Sequence, residues 1–357
     1  MGQRTTIRDI AREAGVTPPV VSVVLSGRPS TISVSEGTRR RIERIVRKRN
    51  YKPNILARSF AGRKSFLIGV LVGRWFRLYA LDALRGAAEV APREDYSLVT
   101  YPCWEGVRQE ARMLELALER KVDGLIVNPT FDFEHGGQSN TREFARLRAA
   151  GMPIVEVFTR VLNPIPSVST DLAAAGRLLT EHLVKLGHRS IVHFTHGHYR
   201  EHETLPGAHE DAYDLWQGYQ AAMREAGLAP RVVTAPLTGA GLAFFESAMK
   251  AAPRLLAAKP RPTGVVCYGD YHALGLLDTF RTRGVRVPED ISITGFNDLE
   301  AASMSAPPLT TARHDAIAFG RESVRMLLDL MAGGDVAGVR LAPHCVVRGS
   351  TAAAAEA

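Results

Sequence analysis

Cysteine is scarce in this chain of 357 residues: Cys103, Cys267 and Cys345 lie far apart and form no CxxC pair. That spacing excludes a disulfide framework and a cysteine-based zinc site, and fits a reducing compartment in which the thiols pack as small apolar groups. Long apolar runs are lacking too, none approaching the roughly 20 residues of a membrane span. The first apolar stretch is broken at Arg8, Asp9, Arg12 and Glu13, unlike a secretory leader. The chain therefore reads as cytoplasmic, with no membrane partner. Phosphate and nucleophile motifs are missing as well: no GxGxxG follows a candidate strand, and neither GxxxxGK(S/T) nor a GxSxG elbow occurs. These absences predict a protein that is no enzyme, with no catalytic residue, no cofactor and no metal.

What is present is 45% hydrophobic residues, ample for buried cores in two or three domains, and a net charge of +8. The charge is unevenly placed. Residues 1–65 hold 15 Lys/Arg against Asp9, Glu13, Glu36 and Glu43, a net +11, while the remaining 292 residues carry −3. A basic segment on a near-neutral body suits binding to a phosphate backbone, where each neutralised phosphate releases condensed counterions. Basic tails are also found merely solvated or on membranes, so charge alone leaves the partner open.

Pattern narrows it. Ile7, Ile10, Ala11 and Ala14 share one helix face, with Thr6 placed as N-cap, Asp9 in the first turn and Gly15 as the stop. Thr17 is placed to cap a second helix whose first turn takes Pro18 and Pro19, with Val21, Val24 and Leu25 as its buried stripe and Ser26-Gly27 as its end. A third helix runs from Ser35 to about Arg49, burying Ile42, Ile45 and Val46 and carrying Arg39, Arg40, Arg41, Arg44, Arg47 and Lys48 elsewhere. Two short helices around a glycine turn make a helix-turn-helix.

The run Thr6-Ile7-Arg8-Asp9-Ile10-Ala11-Arg12-Glu13-Ala14-Gly15-Val16-Thr17, the phrases Val21-Ser22 and Val24-Leu25-Ser26-Gly27, and the stretch Tyr51 to Phe60 resemble the headpiece and hinge of the LacI/GalR (lactose-repressor) family. The resemblance implies a regulator of transcription, with repression favoured, that binds double-stranded operator DNA as a homodimer or tetramer and responds to a small-molecule effector. It places Thr6, Thr17, Ser22, Ser35, Thr38, Asn54, Ala57 and Arg58 at phosphates or groove edges. Pro18, Pro19, Val20 and Val23 would face bases in the major groove. Many relatives carry a polar or cationic side chain at the Val23 position and polar ones at Pro18 and Pro19. Proline and valine offer only apolar contact, so thymine methyls become the available partners, unless Val20 and Val23 are simply exposed valines. Phe60 stands where the family places its minor-groove wedge, and its alternative is packing on the body's first strand.

The body alternates β-rich runs (66–72, 97–101, 124–128, 154–158, 190–195, 232–234, 264–268 and 291–296) with helical stretches (78–91, 108–120, 173–186, 215–226 and 271–283 among them). Such alternation predicts parallel sheets covered on both faces, and about 280 residues divide more readily into two lobes than one sheet. The phrases Lys121 to Ile126, Leu186 to Ile191, Val287 to Ser292 and Pro308 to Thr311 resemble the periplasmic-binding-protein-like core of the same family. The expected fold is thus an all-α helix-turn-helix headpiece plus an α/β type I two-lobed core. Its boundaries are 1–50 for the headpiece, 51–64 for the hinge, and 65–351 for the core. The lobes take 65–170 plus 316–340 and 171–315 plus 341–351, with a disordered tail at 352–357.

The resemblance puts the effector between the lobes at the strand carboxyl ends. Asp171, His196, Leu215, Gly269, Asp270, Asn297 and His314 are the candidate contacts. Leu215, Gly269, Asn297 and His314 replace an Arg, an Asn, an Asp and a Gln common in relatives, so the residues present do not favour a sugar. Trp75, Phe76 and Tyr79 either offer aromatic faces to a ligand or belong to core and dimer interface. His193, His196, His198, His202 and His209, with Glu201, Glu203, Glu210 and Asp211, match no metal spacing. They read as a solvated loop, as contacts to an anionic effector, or as transition-metal ligands.

Overall fold

The computed structural model describes residues 5–26, 31–51, 64–73, 79–132, 138–160, 162, 164–196, 210–236 and 242–354. The chain divides between Phe66 and Leu67 into two units. In the first, α1 (Ile7–Ala14), α2 (Pro18–Ser26) and α3 (Glu36–Lys48) enclose one core. α1 begins with a capping box: the Asp9 amide donates to the Thr6 hydroxyl at 3.3 Å and the Thr6 amide to the Asp9 carboxylate at 2.9 Å. Gly15, at φ +64°, ends it in the left-handed conformation that glycine adopts without a Cβ penalty. Ile10, Ala11, Ala14, Val21, Val24, Ile42 and Ile45 form the core. Arg49 Nε donates to Glu13 Oε2 at 2.8 Å and ties the end of α3 to α1.

The second unit contains two six-stranded sheets. In the first lobe β13 (Val339–Leu341), β7 (Ser167–Thr170), β6 (Ile154–Val157), β3 (Gly124–Val127), β1 (Leu67–Gly73) and β2 (Ser97–Cys103) run parallel in that spatial order. In the second the order is β14 (His344–Val346), β12 (Thr310–Arg313), β11 (Ser292–Phe296), β10 (Gly264–Cys267), β8 (Ile191–His196) and β9 (Val232–Ala235), with β14 alone antiparallel. A hairpin of β4 (Phe131–Asp132) and β5 (Gln138–Ser139) stands apart. Strands such as Gly-Leu-Ile-Val of β3 and Gly-Val-Val-Cys of β10 are apolar throughout because both faces are covered.

α4 (Ala80–Val90) and α12 (Ala316–Met331) cover one face of the first sheet, and α5 (Val107–Glu119) and α6 (Thr141–Ala149) the other. In the second lobe α7 (Leu172–Lys185) and α8 (Glu210–Glu225) lie opposite α9 (Leu242–Ala257) and α10 (Asp270–Thr282), and the short α11 (Glu300–Met304) precedes β12. Each lobe contains a helix pair in close backbone contact, α4 with α12 and α7 with α8. A Cβ on Gly86 or Gly320 would lie 1.9 or 1.8 Å from the Ile317 or Ala83 carbonyl, and one on Gly176 or Gly218 would lie 2.0 or 1.8 Å from that of Leu215 or Ala173.

The chain crosses between lobes after β7, after β12 and between β13 and β14. Two expectations need correction. Leu341 pairs with Thr170 in the first sheet, so the last crossing falls beyond it. The tail is also ordered past 352: the Ala352 amide donates to Ser292 Oγ at 3.1 Å and the Ala354 amide to the Leu186 carbonyl at 2.8 Å. α8 is helical from Glu210, the first residue described there, five residues before its apolar pattern suggests.

Ser350 anchors this return. Its buried hydroxyl donates to the Ile293 carbonyl at 2.6 Å and accepts from the Thr310 amide at 2.8 Å. Ser350→Ala leaves both partners unsatisfied and is expected to cost about 2 kcal/mol, read as a lower urea midpoint with an unchanged slope.

Candidate functional site

In the first unit the residues expected at DNA fall into two groups. Thr6 and Ser35 are N-caps: Ser35 Oγ accepts from the Thr38 amide at 3.3 Å and lies 2.9 Å from Thr38 Oγ1. Their hydroxyls open the exposed amino ends of α1 and α3, where unpaired amides suit phosphate oxygens. Thr17, Pro19 and Ser22 are exposed, and Pro18 and Val23 half-buried. Val20, half-buried as well, packs in part against the core formed by Ile10, Val21 and Ile42. On α3, Arg40 and Arg47 pair with Glu36 and Glu43, whereas Arg41 and Arg44 have no carboxylate partner among the described residues. Asn54, Ala57, Arg58 and Phe60 lie outside the described residues.

In the second unit the carboxyl ends of both sheets contain the buried polar groups that the fold leaves unsatisfied. Asn128 Oδ1, Tyr79 Oη, Thr195 Oγ1, His193 Nε2, His314 Nε2 and both ring nitrogens of His272 have no hydrogen-bond partner among the described residues. Unpaired buried groups are costly and uncommon, and a cluster of them marks a place where another molecule completes the pairing. Backbone strain gathers here too. Phe158, Asn297 and Asp298, at the ends of β6 and β11, have φ of 66°, 120° and 54°, conformations costing about 1–3 kcal/mol each outside glycine.

His314 follows β12 at a crossover and is nearly buried among rings: Tyr79 at 4.2 Å edge-on, Phe158 at 5.5 Å, Phe296 at 5.6 Å and Phe319 at 5.7 Å. Burial lowers its imidazole to about 4, so it is uncharged at neutrality. Asp270, in the first turn of α10, accepts from the Leu299 amide at 2.7 Å and from Thr311 Oγ1 at 2.6 Å; burial pushes its carboxyl up to about 7. Gly269 is the N-cap of α10, and a Cβ there would lie 3.4 Å from Asn297 Nδ2. Asn297 is itself held by its amide donating to the Ala312 carbonyl at 2.8 Å. Arg160 of the first lobe forms an ion pair with Asp214 of the second.

Several expected contacts have structural partners of their own, and others lie outside the described residues. Leu215 is fully buried among Leu172, Leu179 and Tyr219, which makes it core and not cleft. Asp171 caps α7, its Oδ1 accepting from the Ala174 amide at 2.9 Å. Trp75 and Phe76 lie outside the described residues, as do His198, Glu201, His202, Glu203 and His209. His196 ends β8 and His193 lies within it, and burial lowers His193 to about 4, which rules it out as the imidazolium for an anion at neutral pH. No three His, Cys, Asp or Glu side chains among the described residues are placed to hold a metal. His272, Tyr268 and Phe244 escaped the sequence reading. The available signal was a lone histidine on the otherwise apolar face of Ala273, Leu276, Leu277 and Phe280.

Comparison with known proteins places both halves. Residues 6–54 match the model described as bacterial regulatory proteins, lacI family, and residues 180–351 match the periplasmic binding protein-like domain. The chain is 30% identical over 353 residues to the HTH-type transcriptional repressor CytR of Escherichia coli (strain K12), covering 98% of this chain and 96% of that one. It is 28% identical over 330 residues to Catabolite control protein A of Priestia megaterium, covering 91% and 92%. Among solved structures, the lac repressor dimer bound to operator and the anti-inducer ONPF superposes with a TM-score of 0.71 at 27% identity, over 98% of this chain and 100% of that one.

Proposed function

We propose a function from one premise, that this chain belongs to the lacI family of bacterial regulatory proteins. It is a sequence-specific DNA-binding repressor that binds a pseudo-palindromic operator as a homodimer, under control of a small molecule held between the lobes of the core. It acts by binding and not by catalysis, in the cytoplasm, where its DNA is; no described helix is long and apolar enough to cross a membrane.

The observation that carries the DNA reading is the first unit itself: two capped helices flank α2, and +11 of charge is concentrated in 65 residues. Phosphate contacts from the helix ends and from Arg41 and Arg44 set register, and α2 reads bases. The exposed or half-exposed side chains of α2 include Pro18, Pro19 and Val23 with Ser22. Apolar groups there select thymine methyls, so the half-site is expected to carry T·A pairs beneath α2. We divide the chain into headpiece 1–50, hinge 51–64 and core, with Phe60 as the groove wedge.

Effector control follows from the strained, unsatisfied strand ends that face each other across the crossovers. A ligand that favours one lobe arrangement by about 1–3 kcal/mol changes operator affinity roughly 5–150-fold. Selection of genomic fragments by the purified protein at physiological salt, followed by footprinting, tests the reading. A two-fold-symmetric footprint with T·A pairs at the α2 positions is the expected result. Diffuse, sequence-independent protection that no metabolite extract sharpens would overturn it.

A further inference from the structure

Among the ion pairs of the described residues, one joins the two lobes: Arg160 Nη2, beyond β6, donates to Asp214 Oδ2 on α8. The two side chains are 27% and 23% exposed, against 59% and 63% for a helix-surface pair such as Arg112 and Glu115. Water and salt therefore screen the interlobe pair less, and the hydrogen bond between opposite charges adds direction to the attraction.

Each partner is mounted rigidly on its own lobe. The turn that presents Arg160 is pinned by the Phe158 amide, which donates to the Val168 carbonyl at 2.8 Å, and by buried Glu156, which accepts from Thr159 Oγ1 at 2.6 Å and from the Leu162 amide at 2.9 Å. Leu162 and Ile165 then sink into the first-lobe core. Asp214 stands in the second turn of α8, next to fully buried Leu215, on a helix whose Gly218 lies against the α7 backbone. The three crossings join the lobes without fixing the angle between them, whereas the ion pair opposes any rotation that separates its two mounts.

We propose that Arg160 and Asp214 form a latch that holds the unliganded core in one lobe arrangement and so sets operator affinity before any effector binds. The inference rests on the function proposed above and adds to it a control residing in the protein's own charges.

The test compares Arg160→Gln and Asp214→Asn in the full-length protein, on a labelled duplex carrying its selected operator, at fixed salt and without effector. The first substitution removes a positive charge and the second a negative one. A general electrostatic effect on DNA binding moves the two affinities in opposite directions. Loss of a latch moves both in the same direction, each by an expected threefold or more, about the lower end of a coupling between sites. The double variant is expected to bind as the single variants do, because the latch is lost only once. Opposite or additive shifts overturn the proposal. Arg74, Arg77, Arg200, Glu201 and Glu203 lie outside the described residues; a different cation serving Asp214 leaves Arg160→Gln without effect, which overturns it too. Hydrogen exchange of the protein without DNA gives a separate reading. Amides at the crossings, such as that of Asp171, which donates to the Leu341 carbonyl at 3.0 Å, are expected to exchange faster in both single variants. Unchanged exchange there overturns the latch. Failure to select any operator overturns the proposed function instead and leaves the latch to the exchange result.

Discussion

Gly218→Ala is expected to destabilise the second unit by about 3 kcal/mol, although alanine favours a helix over glycine by about 1 kcal/mol on an open surface. The new Cβ would stand 1.8 Å from the Ala173 carbonyl and 2.9 Å from the Arg177 amide, both backbone atoms that no rotamer change can move. α7 and α8 would have to separate, and the buried Leu172, Leu179 and Tyr219 between them would lose contact. Gly227→Ala serves as the control. Gly227 has no atom within 4 Å of its Cβ position, and its φ of +69° confines the cost to local strain of about 1 kcal/mol. Urea denaturation at fixed protein concentration checks both. Equal midpoints for the two variants would show that the helix pair is looser than its geometry.

The second large effect concerns pH. Asp270 keeps its proton up to about 7 in the folded chain because burial disfavours its charged form, whereas an unfolded aspartate loses it near about 3.9. Between these values the folded state binds more protons than the unfolded one, so stability falls as pH rises through that window and is recovered as pH drops below it. Asp270→Asn resembles the protonated carboxyl in shape. Its oxygen accepts from the Leu299 amide, and its NH2 donates to Thr311 Oγ1. The variant is therefore expected to match the parent at pH 4 and to exceed it by roughly 2–4 kcal/mol at pH 8. The lower end reflects the amino terminus of α10, whose dipole favours the anion. Glu110, also raised by burial, is common to both proteins and cancels from the difference. A difference that does not vary with pH would show that Asp270 folds ionised.

Much of this architecture is legible in residue pattern. Thr6, Gly15 and Ser35 mark helix ends because caps and left-handed turns demand few residue types. Apolar runs such as Gly124–Val127 read as buried strands. Ser167–Thr170 and Thr310–Arg313 do not, since Ser-Val-Ser-Thr and Thr-Thr-Ala-Arg look like loops. In the second of these the hydroxyls are buried because neighbouring elements need them: Thr311 holds Asp270, and Thr310 Oγ1 accepts from the Arg348 amide at 2.9 Å; in the first, Ser169 and Thr170 are buried with no hydroxyl partner among the described residues. Nor does pattern separate Leu215, a core leucine, from a pocket residue, because both are apolar positions on the same helix. His272 stayed hidden for the opposite reason. Its meaning comes from Phe244 and Tyr268, which are distant in sequence and adjacent only once α9, α10 and β10 have assembled.

The three crossings also set an order in time. During synthesis the first sheet lacks β13 until Leu341 has been added, and the second lacks the Ser350 anchor until later still. At about 5–20 residues per second, the interval from β7 to β13 lasts roughly 10–30 s. Throughout it, β7 waits with one edge uncovered and α4 without α12. The first unit depends on none of this, since its core closes on residues up to Tyr51. A ribosome-bound chain thus carries a finished basic headpiece well before it owns a cleft.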